Sequence, residues 1–294
     1  MNNEFQKSKL NDISISLCIC TMNRADDLTR CLDSVFQSLE KPDEVIVSDD
    51  SPDPQPTKTV VEKYPGVIYQ QGPRRGLAPN RNACIRSAKS SHIMFIDDDV
   101  SVPPECFAVA RQLIATCQAG TIITGYEMNH GGGGNWEGEV RKIVPHNADF
   151  WGLQRVPVTK EYRAIVINST IFPRSLFQEA LFDENLRYGS EEIDMAIHAT
   201  SLGYHITYQD NFYVHHYPSK VNREQYKRFI HASRLYATTK AYWQYEHSLP
   251  KTLAYIFLAP IQLVGSFAKK GDIRGVWGAF EATAIACRYL FNSY

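Results

Sequence analysis

The sequence carries almost no net charge: 31 Lys and Arg stand against 32 Asp and Glu, −1 overall. A general nucleic-acid binder shows a basic excess, so that class is disfavoured. No CxxC pair occurs among the seven cysteines, Cys18, Cys20, Cys31, Cys84, Cys106, Cys117 and Cys287. Several fall inside apolar runs, which reads as reduced core thiols of a cytosolic protein rather than a disulfide set. Met1 to Leu10 is polar and has no apolar core, so no secretory signal is expected. No GxGxxG follows the first apolar run, which argues against a dinucleotide oxidoreductase. No internal repeat is present. Apart from Gly131-Gly132-Gly133-Gly134, there is no low-complexity stretch.

What remains is an ordinary globular composition of 294 residues, 44% hydrophobic and 21% charged, enough for one large or two small domains. The first half alternates strand and helix patterns. Short apolar runs predict strands over 13–20, 44–48, 67–71, 92–96 and 121–126. Leu28, Cys31, Leu32, Val35, Phe36 and Leu39 recur at helical steps, and helices are also expected over 80–88 and 104–117. Further on, a strand is expected over 162–172, helices over 174–181 and 191–202, and two short strands over 205–208 and 212–216. From Arg223 onward the pattern is helical. The fold class is α/β, a mostly parallel sheet flanked by helices with a C-terminal helical extension. The expected domains are a catalytic unit over 1–222 and a basic helical tail over 223–294.

Polar loops follow three of the strands: Thr21-Met22-Asn23-Arg24, Asp49-Asp50-Ser51-Pro52-Asp53 and Asp97-Asp98-Asp99. Ligands of open parallel sheets bind at the carboxyl ends of strands, so these loops are expected to line one crevice. Three adjacent aspartates are costly unless a cation sits among them or protons stay bound. Hard oxygen ligands suit magnesium, manganese or calcium, and such an ion commonly shares its shell with phosphate oxygens. The alternative is a solvated acidic turn. Arg74, Arg75 and Arg81 around the glycine-led turn at Gly76 offer cations and a helix N-terminus to a diphosphate. Glu191, Glu192 and Asp194 open a helix. They are either dipole-stabilising acids or the source of a general base. His215 and His216 sit near a strand end, as core residues or metal ligands.

Taken in order, these pieces resemble the family 2 glycosyltransferases of the GT-A fold over roughly residues 13–220. The matching pieces are Thr21 to Arg24, Ser48-Asp49-Asp50-Ser51, Gly76-Leu77-Ala78 with Arg81-Asn82, Phe95-Ile96-Asp97-Asp98-Asp99, Leu181-Phe182-Asp183-Glu184 with Glu191-Glu192-x-Asp194, and Tyr213-Val214-His215-His216. The resemblance implies that Thr21, Arg24 and Asp50 contact the base and ribose, with Arg81 near the base or diphosphate. It implies Asp97 and Asp99 as the metal-binding pair, Asp98 nearer the ribose, and His215 as a further metal ligand with His216 as its rival. Glu192 aligns with the family's catalytic Asp. The Glu-Glu pair departs from the usual Glu-Asp and leaves open whether Glu191 or Glu192 faces the acceptor.

The implied activity is an inverting transfer from a nucleoside-diphosphate sugar, most often a UDP-sugar in this family. The cofactor would be a divalent metal, manganese or magnesium. The acceptor would be a hydroxyl of a glycan, such as a growing polysaccharide, or of a lipid-linked molecule. The competing readings are a sugar-phosphate nucleotidyltransferase, disfavoured by the Thr21–Arg24 loop, and a catalytically silent nucleotide-sugar-binding subunit. The glycine tract with Trp136 and Trp151 is expected to close over the sugar, or else to be a plain surface insertion.

The tail adds a further expectation. Residues 223–294 hold ten Lys and Arg and four Asp and Glu, so the tail is +6 and the rest −7. Thr252 to Ala268 is uncharged over 17 residues and interrupted by Pro260, short of the ~20 apolar residues a spanning helix needs. From Arg274 the pattern is amphipathic, with Val276, Trp277, Phe280, Ile285 and Leu290 as apolar members. One reading is a segment lying on an anionic inner membrane surface, which makes the protein cytoplasmic with peripheral membrane contact. The other readings are a helical cap on the catalytic unit or a dimer interface.

Overall fold

The computed structural model describes residues 13–131, 139–157, 159–186, 188–218 and 226–292. The strands are β1 (Ile15–Thr21), β2 (Glu44–Asp49), β3 (Val67–Gln71), β4 (His92–Asp97), β5 (Val100–Ser101), β6 (Thr121–Asn129), β7 (Arg141–Ile143), β8 (Asn147–Ala148), β9 (Gln154–Arg155), β10 (Thr170–Pro173) and β11 (His205–His216). The helices are α1 (Ala25–Gln37), α2 (Gln55–Val61), α3 (Leu77–Ser87), α4 (Cys106–Thr116), α5 (Leu176–Glu179), α6 (Glu191–Ser201), α7 (Lys227–Lys240), α8 (Leu249–Ala268) and α9 (Ile273–Asn292).

Strand β1 shows why the sheet is covered on both faces. Its alternate residues Ile15, Leu17 and Ile19 pack with Leu28, Leu32 and Val35 of α1 and Phe107 of α4. The intervening Cys18 and Cys20 pack with Cys84 and Ile85 of α3, Phe95, Phe177 and Met195. Every residue of β1 is therefore buried, as a central strand between helical layers requires. The order is β3-β2-β1-β4-β10-β6-β11-β5, with β7 on the end of β6. β3, β2, β1 and β4 run parallel; β10 enters antiparallel between β4 and β6; β6 and β11 are again parallel. The sheet is mixed and GT-A-like. Register places Thr21 beside Asp49 and Cys20 beside Asp97, so the three polar loops leave the sheet at one level.

Four expectations need correction. The strand expected over 162–172 shrinks to β10, preceded by a 3-10 turn at Ile167–Ser169. Thr124 Oγ1 accepts the Val166 amide and Thr170 Oγ1 donates to the Val166 carbonyl, so threonine side chains replace ladder bonds there. The two strands expected over 205–216 are one strand, bulged between Tyr208 and Tyr213. Gly125 makes room for that bulge, because a methyl group there would lie 1.8 Å from the Phe212 carbonyl oxygen. Strand β6 runs three residues past its expected end, and α2 was not anticipated.

The tail is helical, with a π-helical turn over Ala241–Tyr245. It forms its own core of Tyr236, Tyr255, Ala259, Leu263, Ala279, Ala282 and Ala286, against which Trp151 packs. On α9 the inward stripe is built of alanines, whereas Trp277 and Phe280 point outward. Trp151 thus belongs to the tail core. The expected closing element at Gly132–Gly134 and Trp136 lies outside the described residues, as does the expected boundary at 222/223.

Candidate active site

The loop after β1 meets the loop after β4. Thr21 Oγ1 donates to Asp98 Oδ2 at 2.7 Å. Arg24 Nη1 donates to Asp98 Oδ1 at 2.9 Å and to Asp99 Oδ2 at 3.2 Å. Asp98 is buried, and both its oxygens tie the two loops together. Burial pushes its pKa up to about 7, against the pull of Arg24 and Thr21. Asp50, at the tip of β2, accepts the Arg74 amide at 2.9 Å. Burial raises its pKa despite that bond and one from Gly76. Gly72 closes the floor here: a methyl group would lie 2.2 Å from Asp50 Oδ1. Thr21, Arg24, Asp50, Asn80, Asp97, Asp98, Asp99 and His216 line one cavity of about 530 Å3.

A second cavity of about 330 Å3 adjoins it, lined by Arg81, Glu127, Asn168, Glu191 and Glu192. Leu77, Asp97, Tyr188 and His216 border both. Arg81 is 2% exposed and joins the two halves, with Nη2 on Asp97 Oδ1 and Nη1 on Glu191 Oε1, each at 3.3 Å. It is held beneath the cavities by these carboxylates and by the Phe182 ring, 5.5 Å away.

Gly189 and Ser190 both have positive φ, 83° and 68°, and turn the chain sharply into α6. The first turn of α6 then carries its three acids in different directions. Glu191 turns to Arg81, and its buried Oε2 has no hydrogen-bond partner. Glu192 lines the second cavity and accepts a hydrogen bond from the Ile167 amide. Burial, reinforced by the neighbouring Glu191 charge, pushes Glu192 up to about 8. Asp194 points away from both cavities. It accepts from Lys240 Nζ at 2.9 Å and Tyr245 at 3.2 Å, while Asp183 accepts from the same Nζ at 2.6 Å.

The bulge in β11 decides between the histidines. His216 sits between two carboxylates, with Nε2 3.2 Å from Asp99 Oδ1 and Nδ1 2.9 Å from Glu127 Oε1. Burial opposes its charge, but the two carboxylates outweigh that and push its pKa up to about 10. His215 faces the other way and pairs with His130 at 2.9 Å. The ring beside the aspartates is therefore that of His216, not the expected His215.

Among the described residues, no group of three or more His, Cys, Asp or Glu side chains is arranged to hold a metal ion. Asp97, Asp99 and His216 border the same cavity, and two carboxylates, joined by the imidazole once an incoming cation displaces its Nε2 proton, are a donor set that a hard divalent cation accepts when phosphate oxygens complete its shell. The residues fit such an ion.

Sequence reasoning missed Glu127, Asn168, Tyr188 and Lys240. Asn168 links the two cavities by accepting the Asp97 amide at 2.9 Å and donating to Glu127 Oε2 at 3.2 Å. Tyr188 stacks on Tyr226 at 4.6 Å, and both rings border the larger cavity. Glu127 was legible in principle, because Tyr126-Glu127-Met128-Asn129 continues the alternation of β6 with polar residues on the buried side.

An α/β sheet whose acidic strand tips border one cavity, with a carboxylate pair lining the cavity that adjoins it, is the architecture of a glycosyltransferase of the GT-A type. Comparison with family models agrees: residues 16–181, more than half of the sequence, match glycosyl transferase family 2. The chain belongs to that family and is a glycosyltransferase. In fold it is similar to residues 1–349 of TarS from S. aureus, with a TM-score of 0.55 and 16% identity, covering 96% of this chain and 93% of that one. A longer S. aureus TarS structure gives a TM-score of 0.53 and 17% identity, covering 90% of this chain and 54% of that one, so this chain spans about half its length. No curated protein matches the sequence.

Proposed function

We propose that the protein transfers a sugar, with inversion, from a nucleoside-diphosphate sugar, a UDP-sugar first among them, to a hydroxyl of a glycan or lipid-linked acceptor. The observation that carries this reading is the pair of adjoining cavities bordered in common by Asp97, Tyr188 and His216. The larger, about 530 Å3 and lined by Thr21, Arg24 and Asp50, would take the nucleotide, those three residues meeting its base and ribose. The smaller takes the sugar and the acceptor.

Asp97 and Asp99, with His216 in place of His215, would hold manganese or magnesium, which supplies neutralisation of the charge on the departing diphosphate. Arg81 fixes Asp97 and Glu191 in place between donor and acceptor. Glu192 is the general base, because Glu191 already belongs to Arg81. The acceptor oxygen attacks the anomeric carbon from the face opposite the diphosphate. The bond from that carbon to the diphosphate oxygen breaks, and the acceptor proton passes to Glu192. One displacement inverts the configuration and needs no enzyme nucleophile. A base with a pKa near the operating pH is well matched to this task. A cytoplasmic setting accords with seven free thiols.

The test is transfer from UDP-sugars by wild type and Glu192→Gln. The variant loses about 10²–10⁴ in kcat, and wild-type activity rises with pH through an apparent pKa near 8. Full activity in Glu192→Gln rejects the assignment of the base. A thermal-shift panel of nucleoside diphosphates with manganese identifies the base that the larger cavity prefers.

A further inference from the structure

The hairpin of α8 and α9 is apolar on two opposite faces. One face enters the tail core, through Tyr255, Ala259 and Leu263 of α8 and Ala279, Ala282 and Ala286 of α9. The other meets solvent: Phe257 and Ile261 are 68% and 69% exposed, and Trp277 is 72% exposed. Along α9, Ile273, Trp277, Phe280, Cys287 and Phe291 are all exposed and recur at multiples of three and four, so they form one continuous line. An apolar groove of about 400 Å3, bordered by Trp243, Leu253, Ile256 and Phe291, lies between that line and α8. Soluble monomers rarely leave so much contiguous apolar surface bare.

Charge says what covers it. Lys269, Lys270 and Arg274 cluster at the turn of the hairpin, and Arg288 lies near its open end, all exposed. None of the four forms an ion pair with a carboxylate among the described residues. The acid at the turn, Asp272, accepts the Gly275 amide at 2.8 Å and caps α9. A second copy laid on this face would bring basic ends against basic ends in either orientation. A layer of anionic headgroups over acyl chains complements both the bases and the apolar line. By length and composition α8, 20 residues long, could cross a membrane, but the packing of the hairpin favours a surface position. Its inner face is fixed to the enzyme, and Glu281, midway along α9, pairs with Arg228 of α7 at 2.8 Å.

We propose that the α8–α9 hairpin lies flat on an anionic phospholipid surface, with Phe257, Ile261, Trp277 and Phe280 in the acyl boundary and Lys269, Lys270 and Arg274 among the lipid phosphates. The inference is independent of the donor and acceptor proposed above. The test is co-sedimentation of the full chain with phosphatidylcholine vesicles, with and without one quarter phosphatidylglycerol, at low and high salt. The wild type pellets with the anionic vesicles and is released by salt. Lys269→Glu/Lys270→Glu and, separately, Trp277→Glu/Phe280→Glu weaken binding by on the order of tenfold or more. Both variants keep the wild-type melting temperature, since the altered side chains are exposed. The proposal is overturned if the full chain stays in the supernatant, or if it pellets equally with both vesicles and in both variants. It is also overturned if sedimentation equilibrium finds a dimer that Trp277→Glu converts to monomer, because a second copy then covers the face.

Discussion

Replacing Glu192 with Gln separates stability from catalysis in opposite directions. The carboxyl has a pKa of about 8 in the folded chain against an ordinary 4.5. At 1.36 kcal/mol per pH unit this corresponds to a folding cost of about 5 kcal/mol once the group is fully ionised. Glu192 is only half-buried, and contact with water reduces the figure to about 2 kcal/mol. A carboxyl whose folded pKa is raised destabilises the native state as pH climbs from the unfolded pKa to the folded one. Wild-type stability from this group therefore falls as pH rises above 4.5 and levels off as pH passes 8. Gln keeps the shape and the bond from the Ile167 amide but does not ionise. Its advantage is nil below pH 4.5 and opens to about 2 kcal/mol by pH 8.5, roughly 4 °C in melting temperature. Thermal denaturation of both proteins at pH 5 and pH 8.5 measures it. A difference that is the same at both pH values, or a variant less stable than wild type at pH 8.5, refutes the reasoning.

Three further outcomes are expected. Arg81→Met removes a buried guanidinium from between Asp97 and Glu191 and costs about 3 kcal/mol in chemical denaturation, with loss of transfer activity. His216→Gln raises the manganese concentration needed for half-maximal activity, and His215→Gln leaves it within twofold of wild type, because only the first ring lies beside Asp99. Lys240→Met costs about 3 kcal/mol by stranding Asp183 and Asp194, and adding Asp194→Asn costs less than the sum of the two single changes in a double-mutant cycle.

The strand tips were readable because apolar runs ended at once in polar loops, and the parallel register then brought Thr21, Asp49 and Asp97 to one level. The choice between His215 and His216 was not readable. Side chains alternate faces along a strand, and the extra residues between Tyr208 and Tyr213 reset that alternation without leaving a mark in the local sequence. The pairing of Glu191 with Arg81 spans 110 positions and depends on the sharp turn at Gly189 and Ser190, so the division of labour between two adjacent glutamates emerged only in three dimensions. Asp183 and Asp194 carried the family resemblance, yet their partner, Lys240, lies in a tail whose basic charge read as a membrane-facing feature.

That lysine has a bearing on how such enzymes diversify. Two acids on either side of Glu192 are neutralised from a helix some fifty positions further along the chain. A chimera grafting a foreign C-terminal module onto this core must bring its own cation to the same spot, or leave both carboxylates stranded in apolar surroundings beside the helix that presents Glu192.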